Sequence, residues 1–161
     1  MTAHYPVPIQ EDVRDLLVDL LGRGVAADKV SPLELDDETP AAIAEFVDDD
    51  DRTACACIVD DRFAVRVGAA LVMVPSNVAE EDLATGELPD NHLENVREVV
   101  NIFGRMLNSA STPHVRLAEL HRWPGELPPG VVQLLEAPEY RRDFAVAVEG
   151  YGEGRFSLLV N

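Results

Sequence analysis

One stretch, Asp90 to Ser111, has the longest run of helical spacing in this chain of 161 residues. Placed at roughly 100° per residue, its apolar residues cover one half of a helix. They are Leu93, Val96, Val99, Val100, Ile102, Phe103, Met106 and Leu107. Asp90 is suited to be the N-cap, and Pro113 stops a helix from continuing past Thr112. The pattern predicts a long amphipathic helix packed against a core.

The other half of this helix carries a polar stripe whose members follow each other at three- and four-residue steps. The polar stripe consists of Asn91, Glu94, Glu98, Asn101, Arg105 and Asn108. A solvated helix face is one interpretation. However, Glu94 and Glu98 lie four positions apart and repel each other mildly, and Asn is a poor helix former. We therefore expect that something other than helix stability selected Glu98 and Asn101.

Length and charge limit the class of protein. A chain of 161 residues is expected to form a single domain over residues 1–161. Its 13 basic and 30 acidic residues give a formal net charge of −17, which repels nucleic acid and anionic membranes. The segment Leu16–Val25 is too short and too charged to span a bilayer, and the N-terminus lacks the pattern of a signal peptide. We expect a cytoplasmic protein with no nucleic-acid or membrane partner.

Two compact groups of residues have simple structural interpretations. Cys55 and Cys57 are separated by one residue, so on a strand their side chains share a face. That spacing favours buried apolar packing over a zinc or redox site. The run Asp48–Asp51 lacks the spacing of an EF-hand and indicates a solvated loop.

The common catalytic motifs do not occur. The chain has no G-x-S-x-G elbow, no P-loop and no dinucleotide fingerprint. Its four histidines, His4, His92, His114 and His121, do not have helical metal-site spacing. On a strand, His114 and His121 are expected to point to opposite faces.

The rest of the chain predicts an α+β fold with helices on one side of a mostly antiparallel sheet. Helices are expected at 10–23, 76–85, 90–111 and 131–136. Strands are expected at 41–47, 53–59, 63–74, 114–121, 140–149 and 154–160. Residues 26–38 are expected to be a connection with a short extended piece at 30–35. The segments 53–59 and 63–74 are rich in β-branched residues and flank a short polar turn, so they predict a hairpin. The last two strands predict a second hairpin.

Within the polar stripe, the spacing Glu94-x3-Glu98-x2-Asn101, followed after 22 residues by Pro124, resembles a known signature. It is similar to that of the CheC/CheX/FliY phosphatases of bacterial chemotaxis: Asp or Ser, three residues, Glu, two residues, Asn, about 22 residues, then Pro. A single copy of the motif and an N-terminal helix most resemble the CheX branch. Glu94 departs from the usual Asp or Ser, and Arg105 stands where Asn is frequent.

The resemblance implies a two-layer CheC-like fold, with a mostly antiparallel sheet and the long central helix packed on one face. It implies phosphatase activity on the aspartyl phosphate of a response-regulator receiver domain, in two-component signalling. Asn101 would orient the attacking water, and Glu98 would pair with a lysine of the receiver. Glu94, Arg105 and Asn91 would contact the partner.

The resemblance also implies that the protein needs no cofactor of its own, because Mg²⁺ would be held by the receiver. Members of this branch pair through sheet edges, so a homodimer is expected as well.

Two other functions fit the same residues. A non-catalytic interaction module of the same fold would bind a receiver or signalling partner, and the departures at Glu94 and Arg105 motivate this alternative. A metal-dependent hydrolase would use Glu94, Glu98 and the Asp48–Asp51 run.

Overall fold

A computed structural model describes residues 5–86 and 88–161. In that part of the chain, the strands are β1 Val25–Lys29, β2 Ala41–Val47, β3 Thr53–Asp60, β4 Arg116–Trp123, β5 Tyr140–Val148 and β6 Gly152–Val160. These six strands form one antiparallel sheet in the order β1–β5–β6–β3–β2–β4. The helices are α1 Gln10–Leu21, α2 Asp61–Leu71, α3 Ser76–Thr85, α4 Asp90–Phe103 and α5 Pro129–Glu136. The α+β prediction is confirmed, as are the strands at 41–47 and 53–59 and the C-terminal hairpin.

The predicted hairpin at 53–74 is wrong, because its second half is helix α2. Asp60 ends β3 and caps this helix by accepting a hydrogen bond of 2.8 Å from the backbone N–H of Phe63. Helix α2 lies against the sheet on one side and against α3 and α4 on the other, so most of its circumference is buried. A helix buried all round loses its amphipathic period, and its sequence then resembles that of a buried strand.

Helix α2 fits closely onto the sheet because β6 has a glycine beneath it. A Cβ atom at Gly154 would collide with the backbone of Phe63. All five phenylalanines of the chain are buried in the same core. The rings of Phe103 and Phe156 have centroids 4.6 Å apart, which links α4 to the sheet through this core.

Both faces of the sheet are covered. Helices α1, α2 and α4 share one core cluster, whereas the short helix α5 lies on the opposite face and covers Ile43, Ile58 and Leu159. The expectation of helices on one side therefore holds for these larger helices but not for α5. Residues 30–35 form no strand, but the first part of the expected connection at 26–38 does, because Val25–Lys29 form β1 and pair with β5.

The two cysteines are free and buried in the same core cluster, as predicted. Burial raises the pKa of Cys55 to about 12, and burial raises the pKa of Cys57 well above its ordinary value. Both thiols therefore remain protonated and are poor metal ligands. Within the described ranges, none of the helices has the length and apolar content that a bilayer crossing requires.

Candidate functional site

Helix α4 is a firmly packed support for the polar stripe. Its inner side consists of side chains that are at most 1% exposed: His92, Val96, Val99, Val100 and Phe103. The backbones of α2 and α4 approach closely at Gly68, where a Cβ atom would lie 3.1 Å from the Cβ of Asn95. Groups on the outer side of α4 are therefore presented on a rigid element.

One buried residue of α4 is polar. The Nε2 atom of His92 lies 2.6 Å from a carboxylate oxygen of Asp82, so this pair links α4 to α3. Sequence reasoning did not assign His92 a role. The contact shows that it is a structural histidine between two helices.

Five of the six members of the polar stripe are exposed: Asn91, Glu94, Glu98, Asn101 and Arg105. Asn108 differs, because its Nδ2 donates to the carbonyl oxygens of Gly104 and Val115 while its Oδ1 accepts from the N–H of Val115. These bonds connect the end of the helical segment to the residue just before β4. The predicted helix is also shorter than 90–111, because α4 ends at Phe103 and a 3₁₀ turn follows at Gly104–Leu107.

Glu98 and Asn101 lie three positions apart, one helical turn, and both are exposed. Neither side chain forms a hydrogen bond or ion pair with the residues that the structure describes. A carboxylate offers only acceptor oxygens, whereas the amide of Asn101 can both donate and accept. The hydrogen-bonding groups of both side chains are therefore exposed to solvent and form no hydrogen bonds with the described residues.

The charge of the polar stripe changes along its length. Glu94 and Glu98 make the middle acidic, and Arg105 follows at the C-terminal end. Arg105 also lines a groove of about 440 Å³ between α1 and α4, whose other lining residues are Leu16, Asp19, Leu20 and Ile102. An apolar groove rimmed by charges, adjacent to the polar stripe, suits contact with a protein surface.

The third candidate, a metal site built from Glu94, Glu98 and Asp48–Asp51, is not assembled by the fold. Asp48 accepts hydrogen bonds from the backbone N–H groups of Asp50 and Arg52, so the run forms a turn. Over residues 5–86 and 88–161, one group of three possible metal ligands converges, and it is Glu45, Glu119 and His121. Sequence reasoning missed this group, although the spacing Glu119-x-His121 on a strand was a usable signal.

The last residue of the predicted signature lies apart from α4 in the chain. Pro124 follows β4 directly, is exposed and forms a cis peptide bond with Trp123. The roles of Glu98, Asn101 and their neighbours in the polar stripe remain predictions, because exposure alone does not assign a function.

No family model matches the sequence, and no curated protein does either. Solved structures do match. Thermotoga maritima FliY has a TM-score of 0.61 at 12% identity, with 92% of this chain and 81% of that chain covered. FliM in the FliM–SpeE complex from H. pylori has a TM-score of 0.61 at 8% identity, covering 94% of this chain and 80% of that chain.

A third match is the CheX–CheY–BeF3–Mg²⁺ complex from Borrelia burgdorferi, with a TM-score of 0.52 at 11% identity and 91% of each chain covered. Identities this low show a shared fold and leave function open. The three matches each cover more than 90% of this chain. This chain therefore has the fold of the CheC/CheX/FliY family, with the CheX branch among its structural neighbours.

Proposed function

We propose that this chain is a CheX-like cytoplasmic phosphatase that hydrolyses the aspartyl phosphate of a response-regulator receiver domain. The observation that carries the proposal is the exposed pair Glu98 and Asn101, one turn apart on the firmly packed helix α4 and without a partner among residues 5–86 and 88–161. A CheX of this fold was solved in complex with CheY, which is a receiver domain, and this supports the class of partner.

The chemistry suits these two side chains. Phosphoryl transfer depends mainly on positioning and on electrostatic stabilisation. The amide of Asn101 can orient a water molecule without placing a negative charge beside the phosphoryl group. The carboxylate of Glu98 can pair with a lysine of the receiver and so fix the docking position. Mg²⁺ held by the receiver would neutralise charge on the phosphoryl oxygens.

The remaining exposed members of the polar stripe would define the contact area. Asn91 and Glu94 extend it toward the start of α4, and Arg105 extends it into the groove beside α1. Because Arg105 places a positive charge at the C-terminal end of this area, we propose that it selects a partner with a complementary acidic group.

We also propose a homodimer formed through a sheet edge. Among the described strands, β1 and β4 each have one unpaired side, which is available for pairing with a second copy. Light scattering should then give twice the mass of the chain, whereas a monomer at all concentrations would contradict this part.

The decisive experiment follows the phosphate lifetime of Borrelia burgdorferi CheY, phosphorylated with acetyl phosphate in the presence of Mg²⁺. Asn101→Ala should reduce the maximal rate by about 100-fold, the usual loss when an essential orienting group is removed. Glu98→Ala should mainly raise the CheY concentration required, by about tenfold, because it weakens docking.

Matched controls are Gln133→Ala and Glu136→Ala, both exposed on α5 on the other face of the sheet. These variants should behave like the wild type. If the protein does not shorten the phosphate lifetime of CheY or of any other receiver tried, the phosphatase proposal is wrong. If the controls lose as much activity as Asn101→Ala, the polar stripe is not the site.

The second candidate is a non-catalytic module that binds a receiver or signalling partner. It is favoured by Glu94 and Arg105, which depart from the phosphatase signature and are both exposed. Its structural neighbour FliM was solved bound to SpeE, which shows that this fold also occurs in protein complexes. It predicts that CheY binds with an unchanged phosphate lifetime, and that Arg105→Ala weakens binding.

A further inference from the structure

Three possible metal ligands meet on the face of the sheet that α5 covers. Glu119 and His121 are two positions apart on β4, so their side chains project from the same face. Glu45 on β2 pairs directly opposite Glu119. One ligand atom from each of these three residues lies within 4.8 Å of the others.

Two contacts fix the orientation of the Glu45 carboxylate. Glu45 is 9% exposed, and one of its carboxylate oxygens lies 3.0 Å from Nε2 of His121. The other oxygen accepts a hydrogen bond from the hydroxyl of Thr53. Such a second contact fixes the direction in which a ligating carboxylate points.

The pairing of Glu45 with Glu119 is unfavourable by itself. Carboxylates directly opposite each other on neighbouring strands repel. No Arg or Lys in the described ranges forms an ion pair with either of them. A divalent cation between the two strands would remove this repulsion.

We propose that Glu45, Glu119 and His121 bind a divalent transition-metal ion, with Zn²⁺ as the expected occupant. One imidazole nitrogen and two carboxylate oxygens are ligands that Zn²⁺ accepts at about 2.0–2.2 Å. Two ligand atoms on one tetrahedral ion are then about 3.4 Å apart, so the observed 3.0 Å between His121 and Glu45 requires only a small shift.

Such a site would be open on one side. Glu119 is exposed, so the ion can enter from solvent and keep a water molecule as its fourth ligand. The ion would join the edge strand β4 to β2. This proposal departs from the sequence-based expectation that the protein has no metal of its own, and it does not depend on the phosphatase proposal.

The test is calorimetric titration of the chelator-treated full chain with ZnCl₂. One equivalent should bind, and Glu119→Gln should weaken the affinity at least tenfold. Because Glu119 is exposed, this variant is expected to fold. Glu126→Gln, which changes an exposed carboxylate outside the cluster, is the matched control and should bind like the wild type.

A second pair of variants tests the histidine. His121→Ala should abolish stoichiometric binding, whereas His114→Ala, at an exposed histidine outside β4, should not. A Co²⁺-loaded sample should show the weak visible bands of nitrogen and oxygen ligands without thiolate charge transfer. Thiolate charge transfer would overturn the proposal, because it would place the ion on Cys55 or Cys57.

Two further outcomes would overturn the proposal of a metal site at Glu45, Glu119 and His121. An absence of binding would mean that His121 and Glu45 form a structural pair only. Binding that survives both Glu119→Gln and His121→Ala would place the ion elsewhere on this acidic chain.

Discussion

The polar stripe on α4 and the cluster of Glu45, Glu119 and His121 use similar side chains in opposite ways. Glu98 and Asn101 are exposed and have no partner within the described residues. In the cluster, by contrast, Glu45 is 9% exposed and contacts both His121 and Thr53.

This difference indicates what each region does. Polar groups that the fold has buried must be satisfied internally, since an unpaired buried group costs free energy. Polar groups left free on a rigid helix cost the fold little and remain available to another molecule. Glu45, through its contacts with His121 and Thr53, therefore contributes to stability, whereas the polar stripe is suited to binding.

The largest expected effect on stability is that of Glu45→Ala. Without metal, we expect the free energy of unfolding to fall by about 3 kcal/mol, because His121 and Thr53 lose a nearly buried partner. Urea unfolding in the presence of a chelator measures it. Glu119→Ala, which removes an exposed side chain from the neighbouring edge strand β4, is the control and should change stability by less than about 0.5 kcal/mol. Equal losses of stability in Glu45→Ala and Glu119→Ala would contradict the claim that burial and internal contacts make Glu45 the more important residue for the fold.

Asp143→Asn should have a smaller but pH-dependent effect. Burial raises the pKa of Asp143, but bonds from Arg141, Ser157 and the Leu33 N–H outweigh it, so the pKa lies below its ordinary value of 3.8. A lowered pKa means that the carboxylate stabilises the fold above pH 3.8 and that this contribution is lost as the pH falls through the folded-state pKa.

We therefore expect Asp143→Asn to lose about 2 kcal/mol at neutral pH and much less in acid. Urea unfolding at neutral pH and at a pH below 3.8 measures the loss of stability under each condition. A loss that is the same in acid would contradict the role of the charge and leave only a packing effect.

The smallest effects on stability are expected in the polar stripe. Asn101→Ala and Glu98→Ala should each change the free energy of unfolding by less than about 0.5 kcal/mol, since neither side chain has a partner in the part of the chain that the structure describes and Ala favours helix. Thermal unfolding measures this change. A loss above about 1 kcal/mol would show that the residue supports the fold, and its effect on phosphatase activity would then have to be reinterpreted.

Local patterns were sufficient where an element has one buried side. The amphipathic period of α4 predicted its apolar core residues and the exposure of Glu98 and Asn101, although it missed the buried His92. Where burial is nearly complete, the pattern was ambiguous: it was interpreted correctly at β2 and β3 but wrongly at α2. Phe63 and the residues after it are enclosed on all sides, so their apolar run did not distinguish a helix from a strand.

The sequence by itself determined the α+β class, the buried cysteines and the outward direction of the polar stripe, because these depend on periodicity within one element. Only the tertiary structure decided that residues 61–71 form a helix, that Asn108 turns inward and that Glu45 meets Glu119 and His121. The helix is decided by its enclosure between the sheet, α3 and α4, and the direction of Asn108 by its bonds to Gly104 and Val115. The contact of Glu45 with His121 depends on strand order and register, because the two residues are 76 positions apart.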